Sequence, residues 1–206
     1  MRLRVRFAKT GDLRFIGHRD LMESFLRLLR RARIRPNYSL GFHPKPKVSF
    51  PTALPLNVVG EDEVLEMEMP DDTDADWVFT QLCKSTIPNL TFLSVEALPE
   101  GTKKAKVLDF TYTFAIPEER RDALRQRILW ISEQPSLPFQ RRGKEKVVDI
   151  KKTLLNCQLL EDGTLQFQLR GDLADGCGPR DFLAALEIGD LETCGSVLVR
   201  KNVHIE

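Results

Sequence analysis

Histidine, cysteine, tyrosine and tryptophan are all scarce in this 206-residue chain, at three, four, two and two copies. The cysteines, Cys83, Cys157, Cys177 and Cys194, form no CxxC pair. That removes the usual signatures of zinc ribbons, dithiol redox centres and iron–sulfur clusters. Cys177, Cys194 and His204 are spaced 17 and 10 residues apart, which fits no common metal-ligand pattern. No apolar run approaches the roughly 20 residues of a membrane-spanning helix. The opening MRLRVRF alternates at once and carries neither the apolar stretch nor the cleavage site of a secretory signal. A Walker A loop, a dinucleotide fingerprint, HExxH and a nucleophile elbow are also missing. These absences predict a cytoplasmic location, free thiols, no metal, no cofactor and no membrane partner. They also argue against a self-sufficient enzyme of those classes.

Charge is present in abundance and is segregated along the chain. The formal net charge is only +1. Residues 1–50 nevertheless carry 13 Lys or Arg against Asp12, Asp20 and Glu23, net +10, and residues 51–100 carry Lys84 against 11 acids, net −10. Concentrated positive charge points to a polyanionic partner, with RNA the leading candidate. With 42% apolar residues the chain can bury a core.

Periodicity predicts two halves with one rhythm. Leu3, Val5 and Phe7 alternate with Arg2, Arg4 and Arg6 as a half-buried strand. A turn at residues 9–12 and a short strand from Leu13 to Ile16 are expected next. Leu21, Phe25, Leu28, Leu29 and Ala32 then recur at helical spacing from Arg19 to about Ile34, and Pro36 ends the run. Val48–Phe50 reads as a short strand, Gly60-Glu61-Asp62 as a turn and residues 63–69 as an alternating strand. Residues 74–85 form a helix with Trp77, Phe79, Leu82 and Cys83 as its expected apolar side, and a strand lies within 89–98. Residues 99–104, PEGTKK, are the best linker. After it come a strand at 110–116, a helix opened by Pro117, extended segments at 137–142 and 146–150, and a hairpin turning at Asp162-Gly163. A short helix closed by Gly189 and a strand at 197–205 complete the order. The predicted fold class is α+β: two ferredoxin-like (βαββαβ) halves with antiparallel sheets, residues 1–104 and 105–206.

Four segments carry candidate chemistry. The Arg2/Arg4/Arg6 row is either an open binding face or, with Glu66 and Glu68 on a neighbouring strand, a set of cross-strand ion pairs, and the second reading is favoured. The helix supplies Arg27, Arg30, Arg31 and Arg33, with Arg35 beyond its end. Guanidinium groups give bidentate phosphate contacts and stack on bases. A solvated helix face is the alternative, and acids at 61–76 could also dock on it. In GFHPKPKVSF, Pro44 and Pro46 stiffen a loop that holds Phe42, His43, Lys45 and Lys47 at defined spacing, so an aromatic and cations are offered together. In QRRGKEKVVDIKK, Arg141 and Arg142 head a basic stretch that is either a second phosphate-tracking strip or an edge guarded by lysines. His18 and His43 could converge as an acid/base pair for RNA cleavage, although a structural histidine at a strand–helix junction is the commoner case.

On the motifs RFIGHRDLMESFLRLLRRARI, NYSLGFHPKPKVSF and ALPLNVVGEDE, the chain resembles the radical-SAM-linked proteins, a bacterial domain of unknown function (2344). His18, Asp20, Arg30, Arg31, Gly41, Phe42, Pro44, Pro46 and Lys47 match that pattern, whereas Lys45 stands where many relatives have histidine and Glu23 where they have arginine. The resemblance covers about 50 residues closely and most of the chain loosely. It implies association with a radical S-adenosylmethionine enzyme and a setting beside a ribonuclease of the E/G type. The resulting expectation is a non-enzymatic accessory protein that binds RNA or presents substrate to such an enzyme. A metal-independent RNA-processing endonuclease and an adaptor docking on a radical enzyme are the alternatives.

Overall fold

The computed structural model describes residues 1–141, 144–173 and 176–206. It is a mixed α+β protein whose sheet pairings are mostly antiparallel, with five α-helices among the described residues. Two compact units divide it, Met1–Lys106 and Val107–Glu206.

In the first unit, alternation drives β1 (Arg2–Lys9): Leu3, Val5 and Phe7 are buried and the intervening arginines are not. It is followed by α1 (His18–Arg31), β2 (Val48–Ser49), β3 (Val59–Glu68), α2 (Ala75–Ser85) and β4 (Leu90–Leu98). The strands lie in the order β4-β1-β3-β2, every neighbour antiparallel. One core joins the inward face of β1, β3 and β4 to Leu21, Phe25, Leu28 and Leu29 of α1 and Val78 and Leu82 of α2. Both helices therefore cover the same face. Phe25 sits at its centre, edge-on to Phe7 at 4.9 Å and to Phe92 at 5.9 Å.

The second unit runs β5 (Val107–Ala115), α3 (Glu118–Glu133), β6 (Ser136–Arg141), β7 (Lys144–Asp149), α4 (Ile150–Thr153), β8 (Leu154–Leu159), β9 (Thr164–Arg170), α5 (Pro179–Ala185) and β10 (Val199–Ile205). Its sheet has the order β10-β5-β9-β8, and β6 pairs with β7 as a separate hairpin. Setting β6, β7 and α4 aside, both units share one strand order. The turn between β8 and β9 needs Gly163, whose φ is +85° and whose missing side chain leaves room for Arg121. Tyr112, Phe167 and Phe182 form the aromatic centre, with centroids 5.3 and 5.1 Å apart.

Several local expectations are corrected. Residues 13–16 are no strand: Gly11–Phe15 is a 3-10 turn, entered through Gly11 at φ +50°. The buried Lys9 ammonium fastens its end by donating to the Ile16 carbonyl at 2.9 Å. Gly60-Glu61-Asp62 is no turn but the start of β3, because β1 is long enough to pair Lys9 with Gly60. On α2, Trp77 and Cys83 face outward while Val78 and Leu82, four residues apart, face the core. The helix α1 stops at Arg31 rather than Ile34, and α5 closes at Glu187 rather than Gly189, both through left-handed residues.

Candidate functional site

The end of α1 shapes the site. Arg33 adopts φ +58°, its N–H donates to the Arg30 carbonyl at 3.1 Å, and the Ile34 N–H reaches back to the Leu29 carbonyl at 2.9 Å. This is a Schellman closure with arginine in the position that favours glycine. The reversal buries Ile34 and turns Arg33 and Arg35 outward.

Residues 37–47 then form a narrow arm. The Ser39 N–H donates to the Lys45 carbonyl at 2.8 Å, the Lys45 N–H to Ser39 Oγ at 3.0 Å, and the Lys47 N–H to the Asn37 carbonyl at 2.7 Å. Its base is stitched to the end of β3, with the Asn37 N–H on the Glu68 carbonyl at 2.7 Å and the Glu68 N–H on the Lys47 carbonyl at 2.9 Å. The tip turns through Gly41 at φ +117°. Leu40 and Phe42 at that tip are fully exposed, at 100% and 102%.

Between the arm and α1 lies a cleft of about 560 Å³. Its apolar lining comes from Leu26 and Leu29 of α1, Ile34, Pro36, Tyr38 and Pro46, and its cations are Arg30, Arg33 and Arg35. Among the described residues none of these three arginines forms an ion pair with a carboxylate; Arg30 donates only to the Leu26 carbonyl of its own helix, at 3.2 Å. An apolar floor flanked by uncompensated guanidiniums and an aromatic ring suits a planar group that carries negative charge.

The other expected site residues of the first unit do not line this cleft. Arg27 is held by Glu23 at 3.2 Å, one turn back on the helix. Arg31 donates to the Ser85 carbonyl at the end of α2, where a cation also complements the helix dipole. Lys47 bonds Glu68 at 2.6 Å, and that hydrogen bond, with the charges of Lys47, Arg2 and Lys104, holds the Glu68 carboxyl below its ordinary pKa. Phe42, His43 and Lys45 lie at the exposed tip. Arg141 ends β6, and Arg142 lies outside the described residues. Arg35, which the sequence offered with the other arginines of the helix end, belongs to the cleft, as does Tyr38, which sequence reasoning passed over.

The sheet arginines are absorbed structurally. Arg4 bonds the buried Glu66 at 2.9 Å, Arg6 bonds Asp62 at 2.8 Å and Arg2 lies 3.7 Å from Glu68. His18 packs edge-on to Phe50 at 5.2 Å, and among the described residues no contact joins it to His43. The His204 ring bonds Asp109 at 2.5 Å, and no group of three His, Cys, Asp or Glu among the described residues is placed to hold a metal ion. Burial pushes the Cys157 thiol up to about 12. No helix among the described residues is long and apolar enough to cross a membrane.

A family model described as an uncharacterized protein conserved in bacteria (DUF2344) matches residues 2–178. The chain belongs to the DUF2344 family. The match spans the whole first unit, cleft and arm included, and most of the second. No curated protein matches the chain. Among solved structures, similarity is found to a chain of an assembly described as an H/ACA RNP bound to a substrate RNA containing 2'-deoxyuridine. That likeness has 11% identity and a TM-score of 0.40 over 98% of this chain, which spans 47% of the other.

Proposed function

We propose that this DUF2344 chain is a non-enzymatic RNA-binding accessory protein whose grip is the cleft between α1 and the 37–47 arm. The observation that carries the reading is the set of three arginines, Arg30, Arg33 and Arg35, that form no ion pair among the described residues and surround an apolar floor beside Tyr38. The arginines take phosphates and Tyr38 takes an unstacked base. A partner enzyme performs the chemistry in the cytoplasm, and the resemblance to radical-SAM-linked proteins supports a radical S-adenosylmethionine enzyme in that role. Each unit reads as a ferredoxin-like half, supported by the shared strand order.

Salt-dependent binding to structured RNA tests the reading. Each phosphate contact contributes roughly 0.7 to 0.9 to the slope of log affinity against log salt. Replacing Arg30, Arg33 and Arg35 together with Ala should flatten that slope by about 2 to 3. Arg27→Ala, which removes a cation already held by Glu23, should change it less. An unchanged slope in the triple variant sinks the site.

Docking on a protein is a second reading, favoured by the fully exposed Leu40 and Phe42 at the arm tip. Capture of a radical enzyme that survives nuclease treatment and is lost in Phe42→Ser would support it.

A further inference from the structure

The outer edge of β8 has the features of a pairing surface. It ends the sheet of the second unit, with β9 on its inner side and no strand beyond it among the described residues. Exposed edges are ordinarily guarded by lysine, proline or an inward charge, because unpaired N–H and C=O groups recruit other strands. The six residues Leu154–Leu159 contain no charged residue and no proline. The register shift between Leu154 and Asn156 accompanies an outward leucine, Leu155, 44% exposed. Beside the edge runs a groove of about 350 Å³, with Ile128 and Ile131 of α3 and Leu154 and Leu155 of β8 in its lining.

Charge placement identifies the occupant. Lys151 and Lys152 lie just before β8, with Lys152 paired to Asp149 at 3.4 Å, and Glu161 and Asp162 closely follow the strand. All four are exposed, and neither Lys151 nor Glu161 forms an ion pair among the described residues. A strand that is positive at one end, negative at the other and neutral between is complementary to itself when reversed. A parallel neighbour would set like charges together, whereas an antiparallel copy sets each basic end against an acidic one. Two-fold symmetry satisfies both ends at once.

We propose that β8 pairs antiparallel with β8 of a second copy of this chain, Lys151 of each facing Glu161 of the other, so that two sheets join edge to edge. The pairing stands apart from the RNA reading, since it uses neither the cleft nor the arm.

Sedimentation equilibrium of the full chain and three charge variants tests it. Wild type should dimerise, and amide exchange within Leu154–Leu159 should slow as protein concentration rises. Lys151→Glu and Glu161→Lys alone each set like charges together at both symmetry-related ends and should weaken the dimer roughly tenfold. The double variant K151E/E161K restores opposite charges and should recover wild-type affinity. All these positions are exposed, and circular dichroism checks that each variant folds. A chain that stays monomeric to millimolar concentration overturns the proposal, as does a dimer that ignores all three variants or one the double variant fails to rescue.

Discussion

Arg33 sits at the junction of stability and the proposed RNA binding. Its left-handed backbone, φ +58°, costs a non-glycine residue roughly 1–2 kcal/mol. The same conformation swings its side chain to the lip of the cleft. Strain kept at such a position is a mark of use. Arg33→Gly should therefore raise the unfolding free energy by about 0.5–1 kcal/mol, net of the entropy glycine loses on folding, and weaken RNA binding at the same time. Urea titration and fluorescence anisotropy read the two effects; a destabilised variant would refute the strain. The arginines were legible in the sequence because four of them crowd into residues 30–35. Which of them stay free was not, since that depends on neighbours far along the chain. Arg31 reaches Ser85 and Lys47 reaches Glu68, partners that no local spacing announces.

At the scale of elements, the strands and helices with strict periodicity were legible and the boundaries were not. β1 shows its alternation in seven residues, and α1 its apolar arc over three turns. The span 60–62 looked like a turn because Gly60 is followed by acids, yet pairing with β1 extends β3 through it. Trp77 looked like core by size, but Val78 and Leu82 have the register that meets the sheet. The expected pairing of β1 arginines with β3 acids rested on strand order alone, and the geometry supplies it at Arg4 and Glu66. Glu66 is 3% exposed and also accepts the Ala105 N–H at 3.1 Å. Glu66→Ala should cost about 3 kcal/mol, because it leaves a guanidinium largely buried without its counter-charge. Replacing both Arg4 and Glu66 by Met should cost much less, since no charge is then stranded. Denaturation of the single and double variants measures the difference, and equal losses would show that the pair is not the unit of stability.

For the molecule as a whole, the charge segregated along the sequence is sorted into two uses. The acids of residues 51–100 neutralise cations on the sheet and at the base of the arm, through Asp62, Glu66 and Glu68, and Asp71 holds the N-terminal amine. Among the described residues the cleft arginines form no ion pair with a carboxylate. The neutralised part makes folding depend on pH. Glu68 lies below its ordinary pKa through Lys47, Asp71 through the terminal amine, Asp149 and Asp162 through backbone N–H donors, and Asp190 through Arg120. A carboxyl with a lowered folded-state pKa binds fewer protons folded than unfolded. Its contribution is complete above the unfolded-state pKa and is lost as pH falls through the lowered value. These groups occur in both units, so each unit should weaken on acidification. The urea midpoint should hold steady near neutrality and decline below about pH 4, the unfolded carboxylate range. Added salt should make the decline shallower by screening the exposed pairs. Asp190→Asn should reduce the acid-linked loss in the second unit and leave that of the first unchanged. A midpoint that stays flat from about pH 5 to pH 3 would mean that these carboxylates are not held by their partners in solution.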